Sequence, residues 1–186
     1  MSDSAKNRVI RNREVLALEI FGTIFIIFLG SALHFTYALS GNNSLVGFFS
    51  EVNESVWEHL KLAFWPSLLW MLIVMRRLRS AINNFLPAKV FGAYVMVVFI
   101  PAVFYSYTNF TAGESIFAID ITTFVIAVIL GQLVSYQLYK YRSLPKLADK
   151  IAIAVIILLA IAFIVFTFYP PHLPIFQDPV TMQYGV

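Results

Sequence analysis

Residues 151–168 read IAIAVIILLAIAFIVFTF, an uninterrupted run of eighteen uncharged residues. A helix needs about 20 mostly apolar residues to cross a hydrocarbon core of about 30 Å, so this run is typical of a membrane-spanning helix. The whole chain has the same character, because 60% of its 186 residues are apolar and 12% are charged. Soluble proteins carry about 25% charged residues. The composition therefore excludes a soluble domain, a disordered chain, collagen and a coiled coil.

Five stretches of this kind can be marked along the chain, and they predict an all-α polytopic membrane protein with five transmembrane helices. They run over about 15–39, 54–75, 87–107, 115–137 and 148–169. Together they occupy most of the chain, so we expect residues 1–186 to form a single membrane domain. Prolines in the segment 170–186 predict a non-helical tail. The apolar part of the first stretch is too long for a secretory signal peptide, and we expect it to stay as a helix.

The basic residues predict how these helices are oriented. Twelve of the thirteen Lys and Arg residues fall before the first helix, around the connection between the second and third, or around that between the fourth and fifth. They are Lys6, Arg8, Arg11, Arg13, Arg76, Arg77, Arg79, Lys89, Lys140, Arg142, Lys146 and Lys150. Because basic connections stay in the cytoplasm, we expect the amino terminus inside and the carboxyl terminus and tail outside. The net charge of +3 thus reflects topology, so the expected partner is the lipid bilayer and not nucleic acid.

Ionisable residues on the outer side of this topology are the candidates for function, because a charged group in hydrocarbon costs about 2.5 kcal/mol or more. His34, His59 and Asp120 each lie five residues from the outer end of a different helix. At 1.5 Å per residue, this places them about 7 to 8 Å below the outer interface. We therefore expect the three side chains to converge. The tail carries apolar side chains that should pack on the bundle and bring His172 over the same opening.

A cluster of imidazole and carboxylate groups suits a divalent metal such as zinc, which in catalytic sites has three protein ligands and one position for water. The predicted ligands are His34, His59 and Asp120, with His172 as a fourth ligand or a lid residue. Glu54 or Glu58 would then be the general base for the water. The favoured function is metal-dependent hydrolysis or modification of a lipid or other amphiphile that enters from the outer leaflet.

Two other interpretations of this cluster stay open. Titratable groups at one depth also suit a proton or ion pathway in a small transporter, although the inner half offers only Glu19, Gln132 and Ser135 as polar steps. Alternatively, the carboxylates and imidazoles pair to fix helix register in a scaffold or sensor without chemistry. The sequence contains no cysteine, no G-x-S-x-G motif and no G-x-x-x-x-G-K-[ST] loop, which excludes the corresponding classes of enzyme.

The stretch NESVWEHLK at 53–61, the following apolar run with Pro66, and the tail PPHLPIF at 170–176 with Tyr184 and Gly185 resemble an uncharacterised family of small bacterial polytopic membrane proteins. This resemblance covers the whole chain and implies a bacterial plasma membrane, but it supplies no activity. In outline the chain is also similar to seven-helix membrane hydrolases with histidine-bound zinc, such as alkaline ceramidases and adiponectin-type receptors. It departs from them in its five predicted helices and its lack of paired histidines on the last one, which limits the similarity to the type of site.

Overall fold

A computed structural model describes residues 3–79 and 81–186, with side chains from Asn12 onward. The described residues form six α-helices and one turn of 3₁₀-helix, with no β-strand among them. They are α1 (Asp3–Leu39), α2 (Ser44–Gly47), α3 (Val56–Leu78), α4 (Phe85–Thr108), α5 (Phe117–Tyr139), α6 (Lys146–Phe168) and the 3₁₀ turn Pro174–Phe176. The prediction of an all-helical protein is confirmed. The predicted cytoplasmic side chains of Lys6, Arg8 and Arg11 lie outside the described part.

Four of the described helices are long and apolar enough to cross a membrane, namely α1 from Asn12 onward, α4, α5 and α6. These four helices indicate a multi-pass membrane protein. The fifth long helix, α3, is not among them, although the sequence predicts it as a span. α3 carries Glu58 and Lys61 near its start and buries more of its residues than any other described helix. The side chains of Glu58 and Lys61 are therefore enclosed within the bundle.

The helix bounds in the structure differ from the predicted ones by a few residues, and by more at the start of α1. Two of the differences from the predicted segments have local reasons. α3 begins at Val56 because Ser55 is its N-cap, and the Ser55 hydroxyl accepts a hydrogen bond from Glu58 N at 3.4 Å. Asn53 lies two residues earlier and accepts from Ser55 N at 2.9 Å, which shapes the turn into the helix. The tail, which the sequence predicts as non-helical, contains the 3₁₀ turn Pro174–Phe176. This short turn begins at a proline, because the fixed φ of proline suits the first position of a helical turn.

Small residues let α4 and α5 approach closely, and these two helices form the most extensive helix pair. A Cβ atom built on Gly131 would lie 2.6 Å from the carbonyl oxygen of Gly92, so neither position has room for a side chain. Ser135, one turn further along α5, donates a hydrogen bond to Ala88 O at 3.0 Å. Small residues repeat at four-residue spacing on α5, at Ala127, Gly131 and Ser135, and they form a packing surface.

Contacts between helix ends show which of them share one end of the bundle. Lys61 near the start of α3 donates to Thr167 near the end of α6 at 2.9 Å. Asn53, just before α3, donates to Gly185 O in the tail at 2.8 Å. We call this end, which carries Leu39, Val56, Phe168 and the tail, the tail end. At the opposite end, Asn84 before α4 bonds the segment that follows α5.

Candidate metal centre and adjoining cavity

Three side chains with metal-ligating atoms meet at the tail end. His34 on α1, His59 on α3 and Glu51 in the segment between α2 and α3 each offer one atom, and these atoms lie within 4.8 Å of one another. The two imidazole ring centroids are 5.6 Å apart. The group therefore joins two helices through a carboxylate that belongs to neither.

Glu51 is the central member of this group. His34 Nδ1 contacts Glu51 Oε1 directly. Glu51 Oε2 is buried and accepts no hydrogen bond from the described residues, although His59 Nε2 lies 3.3 Å away. Burial raises the pKa of Glu51 to about 8, although His59 opposes part of this rise. Burial therefore favours the protonated carboxyl group, and a cation bound among these three residues would replace that proton.

The segment before Glu51 is anchored to α1. Ser50 is fully buried, and its hydroxyl donates to the carbonyl oxygen of Leu33, one residue before the site histidine of that helix. The Ser50 hydroxyl oxygen in turn accepts from Tyr37 N at 3.2 Å and from Thr36 Oγ1 at 3.0 Å. One small hydroxyl therefore fixes the position of Glu51 relative to His34.

The residue after the site carboxylate is anchored to α3. Val52 N donates to Glu58 Oε2 at 3.0 Å, and the same oxygen forms an ion pair with Lys61 Nζ at 2.5 Å. Lys61 also donates to Gly47 O at 2.8 Å and to Thr167 Oγ1 at 2.9 Å. Glu58 was a predicted general base, but both members of its ion pair are buried and engaged. The structure instead places Glu58 where it holds the loop.

A backbone carbonyl orients His59. Its Nδ1 lies 3.0 Å from Ser55 O, and if it donates there the other nitrogen, Nε2, is free to bind a cation. Glu54 Oε2 lies 3.6 Å from that Nε2, and the Glu54 side chain is exposed at the mouth of the site. Glu54, the other predicted base, therefore has an accessible carboxylate beside the cluster.

A cavity of about 510 Å³ opens next to the three ligating side chains, between α1, α3, α4 and α5. Its walls are mainly apolar and include Ile27, Leu62, Ile100 and Phe124. The polar side chains on its lining include His34, His59, Glu54 and Asp120. Cavities of this size and character commonly hold small molecules, with a few polar groups that fix orientation.

The predicted ligands Asp120 and His172 lie outside the group of three. Asp120 lines the cavity, but its Oδ1 accepts a hydrogen bond from Tyr107 OH at 2.5 Å. His172 is exposed and packs against Tyr184, with ring centroids 4.6 Å apart and ring planes tilted by 35°. Phe176 does pack on the bundle, against Trp57 at 4.9 Å, yet this leaves the histidine of the tail away from the cavity.

Glu51 is the site residue that the sequence did not reveal. Because Glu51 lies in a connecting segment, its depth in the membrane cannot be calculated from its distance to a helix end. One signal was available, since the apolar residues Leu45 to Phe49 just before it suggest a segment that dips into the membrane interface. In the structure Gly47 and Ser50 are buried, whereas Leu45 and Phe49 are exposed.

A second buried polar network lies towards the opposite end. Lys89 Nζ contacts Glu19 Oε2 at 2.8 Å and Gln132 Oε1 at 3.1 Å, while Tyr139 OH donates to Glu19 Oε1 at 3.1 Å. The sequence grouped Lys89 with a basic connection, but the structure places it inside α4 with Glu19 as partner. Two of the polar steps proposed for an ion pathway are thus engaged by a lysine.

The long apolar helices, which enclose paired charges, define a helical membrane protein. Its histidines and several carboxylates gather at one end of the bundle. The chain matches the Family of unknown function (DUF6512) over residues 8–186, and it belongs to that family. The predicted membership of an uncharacterised family is thereby confirmed. No curated protein and no solved structure matches the chain.

Proposed function

We propose that this protein is a metal-dependent membrane hydrolase, in which His34, Glu51 and His59 bind a divalent cation beside a cavity for an amphiphile. The observation that carries the proposal is Glu51 Oε2, a buried oxygen that accepts no hydrogen bond within the described part of the chain and lies 3.3 Å from an imidazole nitrogen. Two histidines and one glutamate form a ligand set of catalytic zinc, which leaves a fourth position for water. Asp120 and His172 are not required as ligands in this arrangement.

The surrounding residues support hydrolysis of an ester or amide. A divalent cation held by His34, Glu51 and His59 would supply Lewis acidity, which would activate a water molecule and polarise a carbonyl group. Glu54 then takes one proton from the attacking water, whose oxygen forms a bond to the carbonyl carbon. The bond from that carbon to the leaving oxygen or nitrogen breaks, and the proton on Glu54 passes to the leaving atom. The apolar walls of the cavity hold the chain of the substrate and limit access of other water.

The placement in the membrane follows from length and charge. We infer that α3 is a fifth span, since its 23 residues extend over about 34 Å at 1.5 Å each and its charged pair is enclosed. The basic residues around Arg77 and Arg142 lie at the end opposite the tail end. By the positive-inside rule the amino terminus is cytoplasmic and the tail end is outside. The metal centre then faces the outer side of a bacterial plasma membrane.

The first test is metal content. Purified protein equilibrated with zinc and then freed of loose metal is expected to hold about one zinc ion per chain. We expect zinc affinity to fall by at least about 100-fold in each of the variants His34→Ala, His59→Ala and Glu51→Gln. Loss of a ligand should lower the affinity at least as much as loss of a hydrogen bond that supports a ligand. Elemental analysis gives the stoichiometry, and competition with a chelating dye gives the affinity.

The chain offers a matched control and a test of the chemical step. His172→Ala removes an exposed histidine outside the group and should keep the full metal content. Glu54→Gln should keep the zinc but lower kcat for a long-chain nitrophenyl ester about 10²- to 10⁴-fold, as for loss of a general base. Absence of zinc in the wild-type protein, or equal loss in His172→Ala, contradicts the metal centre.

The orientation is tested by labelling. The chain has no cysteine, so Ser44→Cys and Ser143→Cys each introduce a single thiol at an exposed serine. A membrane-impermeant maleimide added to intact cells should label position 44, whereas position 143 should react only after the membrane is opened. Labelling of position 143 in intact cells refutes the proposed orientation.

A further inference from the structure

We propose that the cavity binds a single-chain amphiphile with a positively charged ammonium head group, and that Asp120 is the counter-ion of this group. The inference rests on the proposed function in one respect, since the same cavity would hold the substrate. It names the chemical class of ligand, and it concerns a carboxylate to which the metal centre assigns no role.

The geometry of Asp120 suits a fixed anion. Tyr107 OH donates to Asp120 Oδ1 at 2.5 Å, and the same hydroxyl oxygen accepts from Ile116 N at 3.2 Å. One carboxylate oxygen is therefore held by a hydroxyl group that is itself held by the backbone. The second oxygen, Oδ2, forms no hydrogen bond with the described residues and belongs to a side chain that lines the cavity. It is free to accept a hydrogen bond from a ligand.

The charged side chains of the cavity lining, without a bound metal ion, disfavour an anion. Its lining contains the carboxylates of Glu54 and Asp120, and no lysine or arginine lines it within the described part of the chain. Lys61 on α3 is buried and bonded to Glu58, Gly47 and Thr167, so it does not serve the cavity. When no cation occupies the metal centre, an ammonium group meets opposite charge here, whereas a carboxylate or phosphate group meets like charge.

The opening of the cavity is apolar. Phe35 on α1 and Phe117 and Ile121 on α5 line it, and all three are well exposed on the outside of the bundle. In a bilayer such side chains face hydrocarbon. A Cβ atom built on Gly30 would lie 2.8 Å from Phe124 Cζ, so α1 and α5 close together below the opening. This shape admits one hydrocarbon chain from the side, with its head group near Asp120.

Two photoreactive probes that differ only in the head group test the inference. The probes are dodecylamine and dodecanoic acid, each with a diazirine at the same chain carbon, added to the full chain in phosphatidylcholine nanodiscs with a chelator. Cross-linked positions are identified by mass spectrometry. Labelling at Phe28, a highly exposed residue of α1 that does not line the cavity, corrects for the amount of probe in the bilayer. We expect the amine to label the cavity lining about tenfold more than the acid, as for one charge-assisted hydrogen bond.

Two variants show whether Asp120 causes the preference. Asp120→Asn should bring the ratio of amine to acid labelling close to one. Ser31→Lys adds a positive charge to the cavity lining without changing Asp120 or Tyr107, and it should favour the acid. Equal labelling by both probes in the wild type, or an unchanged ratio in both variants, overturns the inference and leaves the metal centre untouched. Labelling confined to positions outside the cavity overturns the inference and the proposed amphiphile site together, whatever the zinc content.

Discussion

Replacement of Lys89 by methionine is expected to lower the free energy of unfolding by about 3 to 5 kcal/mol, the usual cost of leaving one buried charge without its partner. Lys89 and Glu19 are both nearly inaccessible, and their charged atoms are 2.8 Å apart. Without the lysine, the Glu19 carboxylate keeps only the hydrogen bond from Tyr139 OH. Denaturation in mixed micelles, followed by tryptophan fluorescence, measures the change.

A double variant and a surface ion pair serve as controls for this prediction. Glu19→Gln together with Lys89→Met removes both charges and keeps an acceptor for Tyr139, so it should recover more than half of the loss. Arg77→Met breaks the ion pair with Glu14, in which both side chains are exposed, and should cost about 1 kcal/mol or less. A similar loss for Arg77→Met and Lys89→Met contradicts the prediction.

Replacement of Lys61 by methionine is expected to have two effects. Stability should fall by about 3 to 5 kcal/mol, because Glu58 is left buried without its cation. Zinc affinity should also fall about 10- to 100-fold, as expected when a supporting contact of a metal ligand is lost. The reason is that Lys61 binds Gly47 O and that its partner Glu58 binds Val52 N, on either side of Glu51. Chelator competition measures the second effect.

The two effects can be separated. Glu58→Gln combined with Lys61→Met removes both charges but keeps an acceptor for Val52 N, so we expect stability and most of the zinc affinity to return. Glu58→Leu combined with Lys61→Met also removes both charges, yet it leaves that amide without an acceptor and should keep zinc binding weak. Lys150→Met, a change at an exposed lysine of α6, should alter neither quantity. Unchanged zinc affinity in Lys61→Met would show that the loop does not depend on this ion pair.

The helices were predictable because their cause is local. An uncharged run such as 151–168 can satisfy its backbone in hydrocarbon only as a helix or as part of a closed barrel, and strands of a barrel would alternate in polarity. The ends of helices depend on individual hydrogen bonds, which is why α3 begins at Val56 after its cap on Ser55. A pattern of apolar residues does not identify which of several neighbouring polar residues makes that bond.

The candidate site was predictable only in part. Spacing along a helix gives the depth of a residue, and it placed His34, His59 and Asp120 at one level. The first two do adjoin each other, with ring centroids 5.6 Å apart, and all three line one cavity. The depth of a residue does not give the direction of its side chain around the helix axis. Asp120 is bound by Tyr107 and does not belong to the group formed by His34, Glu51 and His59.

The sequence alone determined that this chain is an all-helical membrane protein, because the cost of charge in hydrocarbon acts on every residue wherever its neighbours lie. Only the tertiary structure decided that Glu51 completes the group with His34 and His59, and that Glu58 and Lys61 fix its loop. Likewise it paired Lys89 with Glu19, which are 70 residues apart. Such partners are chosen by packing between distant segments, and each buried charge needs a partner that only the folded bundle brings near.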